Sequence, residues 1–277
     1  MPYVVRGRGR VRMLTQPPLT QTLGPWVAPS DAKPANALAE EMELLTALEA
    51  ALPEAVAFDQ QFSPTMTNAL PFHWAGYRLE VQYTYRLDAR RSEEDLWDGL
   101  RSNIRREIRK ARKRVEVRDD LGLDRFYDLW NKTFTRQGLE TPQPLALLAR
   151  LDAACAARDA RRMLFAVDEG GRVHAAAYVV WDERAAYYLM GGGDPELRGS
   201  GAGSLVMWEA ITRARERAPV FDFEGSMLQP VERFFRSFGS HQTPYLHVSR
   251  TSAAARAGLA LRAAGKRLRR RPALSWP

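Results

Sequence analysis

A strand that runs into three glycines, then a polar loop, then a helix constrains this chain more than any other segment. Residues 185–211 read AAYYLMGGGDPELRGSGAGSLVMWEAI. The opening is apolar and aromatic, as in a buried strand. Gly191, Gly192 and Gly193 break it, and helical spacing resumes at Leu205, Trp208, Ala210 and Ile211. Between them lies Arg198-Gly199-Ser200-Gly201-Ala202-Gly203. Glycines let a backbone approach a ligand closely, and the first N–H groups of a helix have no partner within it. Together with the macrodipole and the Arg198 guanidinium, such a helix start favours a phosphate. A turn that only joins strand to helix is the plain alternative. No Lys-Ser/Thr pair follows, which excludes a P-loop, and no acidic residue stands about twenty positions on, as a dinucleotide fingerprint requires.

The 277 residues suffice for one large core or two smaller ones, and 45% hydrophobic with 27% charged residues is the balance of a globular chain. Cys155 is the only cysteine and there are four histidines, which argues against a disulfide framework and a metal enzyme. No apolar run has the length of a membrane-spanning helix, and the basic, broken N-terminus is unlike a signal peptide, so a cytoplasmic protein is expected. The net charge of +8 is concentrated in two places. Residues 101–114 hold eight bases against one acid, residues 250–271 hold eight bases and no acid, and the rest is net acidic. Each patch suits phosphate, nucleic acid or an anionic membrane surface, with a solvated helix face as the alternative.

Periodicity gives short strands at 3–5, 11–14 and 56–58, a helix over 36–52, and a longer strand over 77–87. Ser92 has the character of an N-cap, with Glu93, Glu94 and Asp95 behind it. From there the stripe Leu96, Leu100, Ile104, Ile108, Ala111 and Val115 predicts one helix to residue 114. Further on come helices over 124–137 and 145–158, then strands at 163–167, 173–181 and 185–190 in hairpin succession. After the glycine loop and its helix follow a strand over 220–224, a helix over 229–238 and a strand over 245–248. Residues 253–271 read as a basic helix.

Arg-x-x-Gly-x-Gly between a strand and a helix resembles the pyrophosphate loop of the GNAT acyltransferases, with Arg198, Gly201 and Gly203 at its positions. The order of elements over residues 124–250 resembles a GNAT domain. The first half can be laid on the same plan, but its counterpart loop, residues 20–26, lacks Gly-x-Gly and the arginine. Further motifs are Pro17-Pro18-Leu19-Thr20-Gln21, Leu70-Pro71-Phe72 with Trp74, Thr84-Tyr85, Ile108-Arg109-Lys110-Ala111, Phe221-Asp222-Phe223-Glu224-Gly225-Ser226 and Arg233-Phe234-Phe235. With these, the chain resembles the Fem-like tandem GNAT proteins of bacteria, acetyltransferases and peptidyltransferases. The resemblance implies an α/β fold of two GNAT-like halves, each a mixed, mostly antiparallel sheet flanked by helices. By the same resemblance the first half is expected to be degenerate and to lack the opening strand-helix segment. The expected layout is 1–91 for that half, 92–118 for a basic connecting helix, 119–250 for the donor-binding domain, and 251–277 for a basic tail.

The resemblance also implies a strand that splays from its neighbour at Met190, Gly191 and Gly192, and a donor that is acetyl-CoA or another acyl-CoA, held by Arg198, Gly199, Ser200, Gly201, Ala202 and Gly203, with no metal. The alternative donor is an aminoacyl-tRNA, for which the basic patches at 101–114 and 250–271 are suited. A non-catalytic module on the same fold is a third reading, and the tail could equally rest on a membrane surface. Acyl transfer to an amine needs a held donor, an amine that loses its proton, and N–H groups facing the oxyanion. Glu224 is the expected base, beside Asp222 on one strand face, where two carboxylates raise one pKa. Pairing of both acids with arginines is the structural alternative. Ser226 and Tyr245 are candidate proton donors. Trp74, Tyr83 and Tyr85, with Arg105 and Arg109, are candidates for binding a small-molecule or peptide amine.

Overall fold

The computed structural model describes residues 1–252 other than Arg10, Arg136, Gln137 and Ser226. In chain order the elements are β1 (Val4–Arg8), β2 (Val11–Thr15), α1 (Pro34–Ala50), β3 (Ala57–Gln61), α2 (Leu70–Trp74), β4 (Arg78–Asp88), α3 (Glu93–Gly99), α4 (Ser102–Ala111), β5 (Glu116–Arg118), α5 (Leu123–Thr135), α6 (Leu145–Ala156), β6 (Arg161–Val167), β7 (Val173–Trp181), β8 (Ala186–Gly193), α7 (Ala202–Ala214), β9 (Val220–Asp222), α8 (Gln229–Arg236) and β10 (His241–Thr251). A 3-10 turn, Arg198–Ser200, joins β8 to α7. The chain divides into two compact units, Met1–Gln82 with the stretch from Pro244, and Tyr83–Thr243. The basic tail beyond Ser252 lies outside the described residues. Among the described residues no helix is long and apolar enough to cross a membrane.

In the first unit β1 and β2 form a hairpin, β2 runs parallel to β3, and β10 pairs antiparallel with β3 (Val248 opposite Gln60). The final strand, expected to close the second half, therefore completes the sheet of the first. Its core is aromatic. Phe58, Phe62, Phe72 and Tyr77 meet edge-to-face at 5.2–5.3 Å, pairs worth about 0.5–1.5 kcal/mol each beyond their burial. The segment corresponding to a donor loop packs Gly24 against the Phe62 ring, and the next helix, α1, begins only at Pro34.

In the second unit β4 pairs antiparallel with β9, β9 runs parallel to β8, and β8, β7, β6 and β5 form an antiparallel meander. Side-chain alternation separates two faces. Leu164, Ala166, Ala175 and Ala177 pack with α7, whereas Phe165 and Tyr178 meet Phe126 of α5. Helix α7 is buried on nearly every side, because α4 packs on its outer surface. That is why its sequence is apolar all round rather than striped.

The single helix expected over 92–114 is two. Ser92 caps α3, accepting from the Asp95 N–H at 3.0 Å, but Leu100 is extended and the Arg101 N–H donates to the Ser237 carbonyl. The stripe stays buried throughout, at Leu96, Leu100, Ile104 and Ile108, so the pattern alone could not reveal the break. Glycine at 239 allows the close approach there: left-handed at φ 78°, it would place a Cβ 2.7 Å from the Gly99 carbonyl oxygen.

Candidate active site

The cleft of the second unit originates where two neighbouring strands part company. Strands β8 and β9 share only two ladder pairs, Ala186 with Phe221 and Tyr187 with Asp222. From Tyr188 onward β8 continues for six residues with a ladder to β7 alone. The expected strand over 220–224 stops at Asp222, because the chain turns toward β4. The Phe223 N–H donates to the Tyr85 carbonyl at 2.9 Å. Glu224 and Gly225 are both left-handed, at φ 57° and 56°, and a Cβ on Gly225 would stand 2.3 Å from the Tyr83 carbonyl oxygen. Only glycine fits that contact.

The released half of β8 leads into the loop. Asp194 ends the strand and fixes the turn. Its N–H donates to the His174 carbonyl, its carboxylate accepts from the Glu196 N–H, and Lys132 lies 2.6 Å away. That lysine holds its pKa below the ordinary carboxylate value. Gly201 is left-handed at φ 82°, and a Cβ there would lie 2.5 Å from the Glu107 carbonyl oxygen of α4. This glycine seats the start of α7 against α4. Gly203, by contrast, has open space where its Cβ would be. Among the described residues the N–H groups of Gly201 and Gly203 have no acceptor and Arg198 has no ion-pair partner. Ser200 is buried, its hydroxyl receiving the Ala202 N–H. A cavity of about 210 Å³ opens here, bounded by Arg198, Gly203, Gly191 and Gly193. Unpaired N–H groups, a free guanidinium and a cradle that a Cβ would fill suit a diphosphate.

The two acids of the following strand have different environments. Asp222 is buried and fully engaged. It accepts from the Thr84 hydroxyl at 2.5 Å, pairs with Arg86 at 3.1 Å, and receives the Glu224 N–H at 2.9 Å. Burial still raises its pKa. The Glu224 carboxylate has no hydrogen-bond or ion-pair partner among the described residues. Burial first, and the Asp222 charge second, push its pKa up to about 8. The pairing expected as a structural alternative therefore holds for Asp222 alone.

The remaining candidates are distributed as follows. Met190 is buried, and Gly192 lies against Thr133 and the Leu129 carbonyl of α5. Gly199 has no neighbour that a Cβ would meet. Tyr83 is half-buried, and Tyr85 is a core residue whose hydroxyl donates to Glu232 and accepts from Gln242, both at 2.8 Å. Arg105 bonds the Asp98 carbonyl, and Arg109 stacks on Trp97 at 5.6 Å. In the first unit Trp74 is exposed on α2, and the buried Tyr245 hydroxyl donates to Gln82 while receiving Gln21. Ser226 lies outside the described residues. His174 is buried and paired with Asp168 at 3.0 Å. No group of metal-ligating side chains occurs among the described residues.

Sequence reasoning missed Tyr188. It is the first β8 residue beyond the last β9 pair, and its ring lines the cavity. Burial pushes its phenol up to about 12. The available signal was a pair of small-residue runs, Ala175–Ala177 and Gly191–Gly193, which face each other across the β7–β8 ladder and leave one large ring to fill the space.

Residues 99–236 match the family model described as the acetyltransferase (GNAT) domain. No curated protein sequence matches the chain. Among solved structures it is similar to FemX, at TM-score 0.67 and 14% identity over 88% of this chain and 83% of that one. It is also similar to the C-terminal domain of a putative lysylphosphatidylglycerol synthetase from Agrobacterium fabrum, at TM-score 0.54 and 15% identity over 93% and 83%. A third is L-PGS from Bacillus licheniformis, at TM-score 0.53 and 10% identity over 90% and 80%.

Proposed function

We propose that this Fem-like GNAT acyltransferase, whose family domain spans residues 99–236, transfers an acetyl group from acetyl-CoA to an amine, with its donor site in the second unit. One observation carries the reading: the Gly201 and Gly203 N–H groups and the Arg198 guanidinium, without partners among the described residues, border a cavity that follows the half of β8 left unpaired by β9. Acyl-CoA supplies an acyl group activated as a thioester. Arg198 and the α7 N-terminus hold its diphosphate. The β8 backbone from Met190 to Gly192 orients the arm, and the strand edge left free by β9 offers N–H groups for the developing oxyanion. Glu224, its pKa pushed up to about 8 and its carboxylate without a partner among the described residues, takes the proton from the attacking amine. Asp222 positions Glu224 through the hydrogen bond to its backbone.

A second reading has its own support. A depression of about 590 Å³ adjoins the loop at Gly199 and Ser200 and carries Lys113 and Arg114 on its rim. Neither side chain has an ion-pair partner among the described residues. Asp168, Glu169 and Glu196 line the other side of the depression, so it is the Lys113–Arg114 edge that suits a polyanionic aminoacyl-tRNA donor. A thermal-shift comparison separates the two. Acetyl-CoA at a hundred times its Kd stabilises the fold by about 2.7 kcal/mol, and Arg198→Ala, binding about tenfold more weakly, cuts that to about 1.4 kcal/mol at the same concentration. No shift with millimolar acetyl-CoA or CoA, together with salt-sensitive binding of aminoacyl-tRNA, would transfer the assignment to the second reading.

A further inference from the structure

We infer that Tyr188 closes the inner end of the donor cavity and restricts the transferred acyl group to acetyl size, an inference that rests on the acyl-CoA reading above. The cavity floor is nearly bare of side chains, because Ala175, Ala176 and Ala177 are paired with Gly193, Gly192 and Gly191. The start of α7 at Gly203 and the Tyr188 ring line the same cavity, so an arm running inward from a diphosphate at α7 leads to that ring. There the bare floor ends, and Tyr188, Met207 and Phe234 bound the space.

The ring is held in place. It meets Phe235 edge-on with centroids 6.0 Å apart. Its hydroxyl oxygen occupies the room a side chain on Gly191 would need, 1.8 Å from that Cβ position. It can therefore lie there only because residue 191 is glycine. An acyl chain longer than two carbons, extended in the direction of the arm, meets this ring.

The test needs no acceptor. Titration calorimetry would give Kd for CoA, acetyl-CoA, butyryl-CoA and hexanoyl-CoA with the wild type, Tyr188→Phe, Tyr188→Leu and Tyr188→Ala, each checked for a cooperative melt. In the wild type butyryl-CoA binds at least tenfold more weakly than acetyl-CoA, the scale of discrimination a tight apolar wall gives. Tyr188→Phe, which keeps the ring, keeps that ratio. Tyr188→Ala removes it, and Tyr188→Leu, which retains apolar packing against Phe235, at least halves it if the alanine variant does not fold. Equal affinity of the wild type for acetyl-CoA and hexanoyl-CoA overturns the inference, as does an unchanged ratio in a folded leucine or alanine variant. A wild type that binds none of the thioesters and not CoA itself overturns the donor reading and this inference together, a result distinct from retained CoA binding with no chain-length preference.

Discussion

Gly201 and Gly203 sit two residues apart in one motif, yet their substitution should have opposite consequences. Alanine at 201 must adopt φ near 82° and place its methyl 2.5 Å from the Glu107 carbonyl oxygen. The left-handed backbone costs about 1–2 kcal/mol, and forcing a methyl against fixed backbone adds roughly 1–3 kcal/mol. A loss of about 2–5 kcal/mol lowers Tm by roughly 4–20 °C in a unit of this size. Alanine or valine at 203 meets nothing within 4 Å, and replacing a helical glycine by alanine is neutral or stabilising by up to about 1 kcal/mol. The new side chain instead enters the space assigned to the diphosphate, so Gly203→Val should weaken CoA at least tenfold while Tm stays within about 2 °C. Calorimetric Tm and titration of CoA for both variants read the contrast. Wild-type affinity in Gly203→Val would refute the cradle. A wild-type Tm in Gly201→Ala would refute the account of how α7 is seated on α4.

Arg198→Ala, at an exposed side chain with no partner among the described residues, should leave Tm unchanged within error and raise the Kd for CoA about tenfold, measured by the same titration. Tyr85→Phe leaves Gln242 and Glu232 without the hydroxyl they share, so stability should fall by about 1–3 kcal/mol in urea unfolding while CoA affinity is retained. Glu224 ionises at about 8 in the folded chain against an ordinary 4.5, so the fold holds an extra proton between those values. The stability it confers is complete at acid pH and declines as pH rises toward 8. Glu224→Gln should flatten that decline in denaturation curves taken from pH 5 to 9. Acyl transfer itself should rise through about pH 8 in the wild type, and a pH-independent rate would exclude Glu224 as the base.

The parts of the site that were legible in the sequence are those where backbone geometry forces a residue type. The left-handed turn into α7 is spelled out by Gly201, although the sequence could not say that Gly201 serves packing while Gly203 faces open space. The position of β4 was legible from alternation, whose buried face is Tyr85 and Leu87, although Val81 of the same set is exposed. Where tertiary context decides, the pattern was silent. Continuing apolar spacing through Leu96, Leu100 and Ile104 conceals the break between α3 and α4, since both helices bury the same stripe. Alternation likewise carried the strand to residue 224, whereas a hydrogen bond to Tyr85 and a tight contact with Tyr83 end it at Asp222.

That early ending joins the two halves of the chemistry. A β9 that ran on through residue 224 would keep pairing with β8, and the backbone that the donor arm needs would be spent on the ladder. The turn at Glu224 and Gly225 that prevents this also takes Glu224 off the strand and leaves its carboxylate without a partner among the described residues, while Asp222, still in the ladder, is locked by Thr84 and Arg86. A left-handed non-glycine residue is costly, and an unpaired carboxylate in such surroundings is costlier still. On the proposed function both costs fall at one position, because the turn that ends β9 at Asp222 frees the strand edge proposed for the donor and also carries the proposed base.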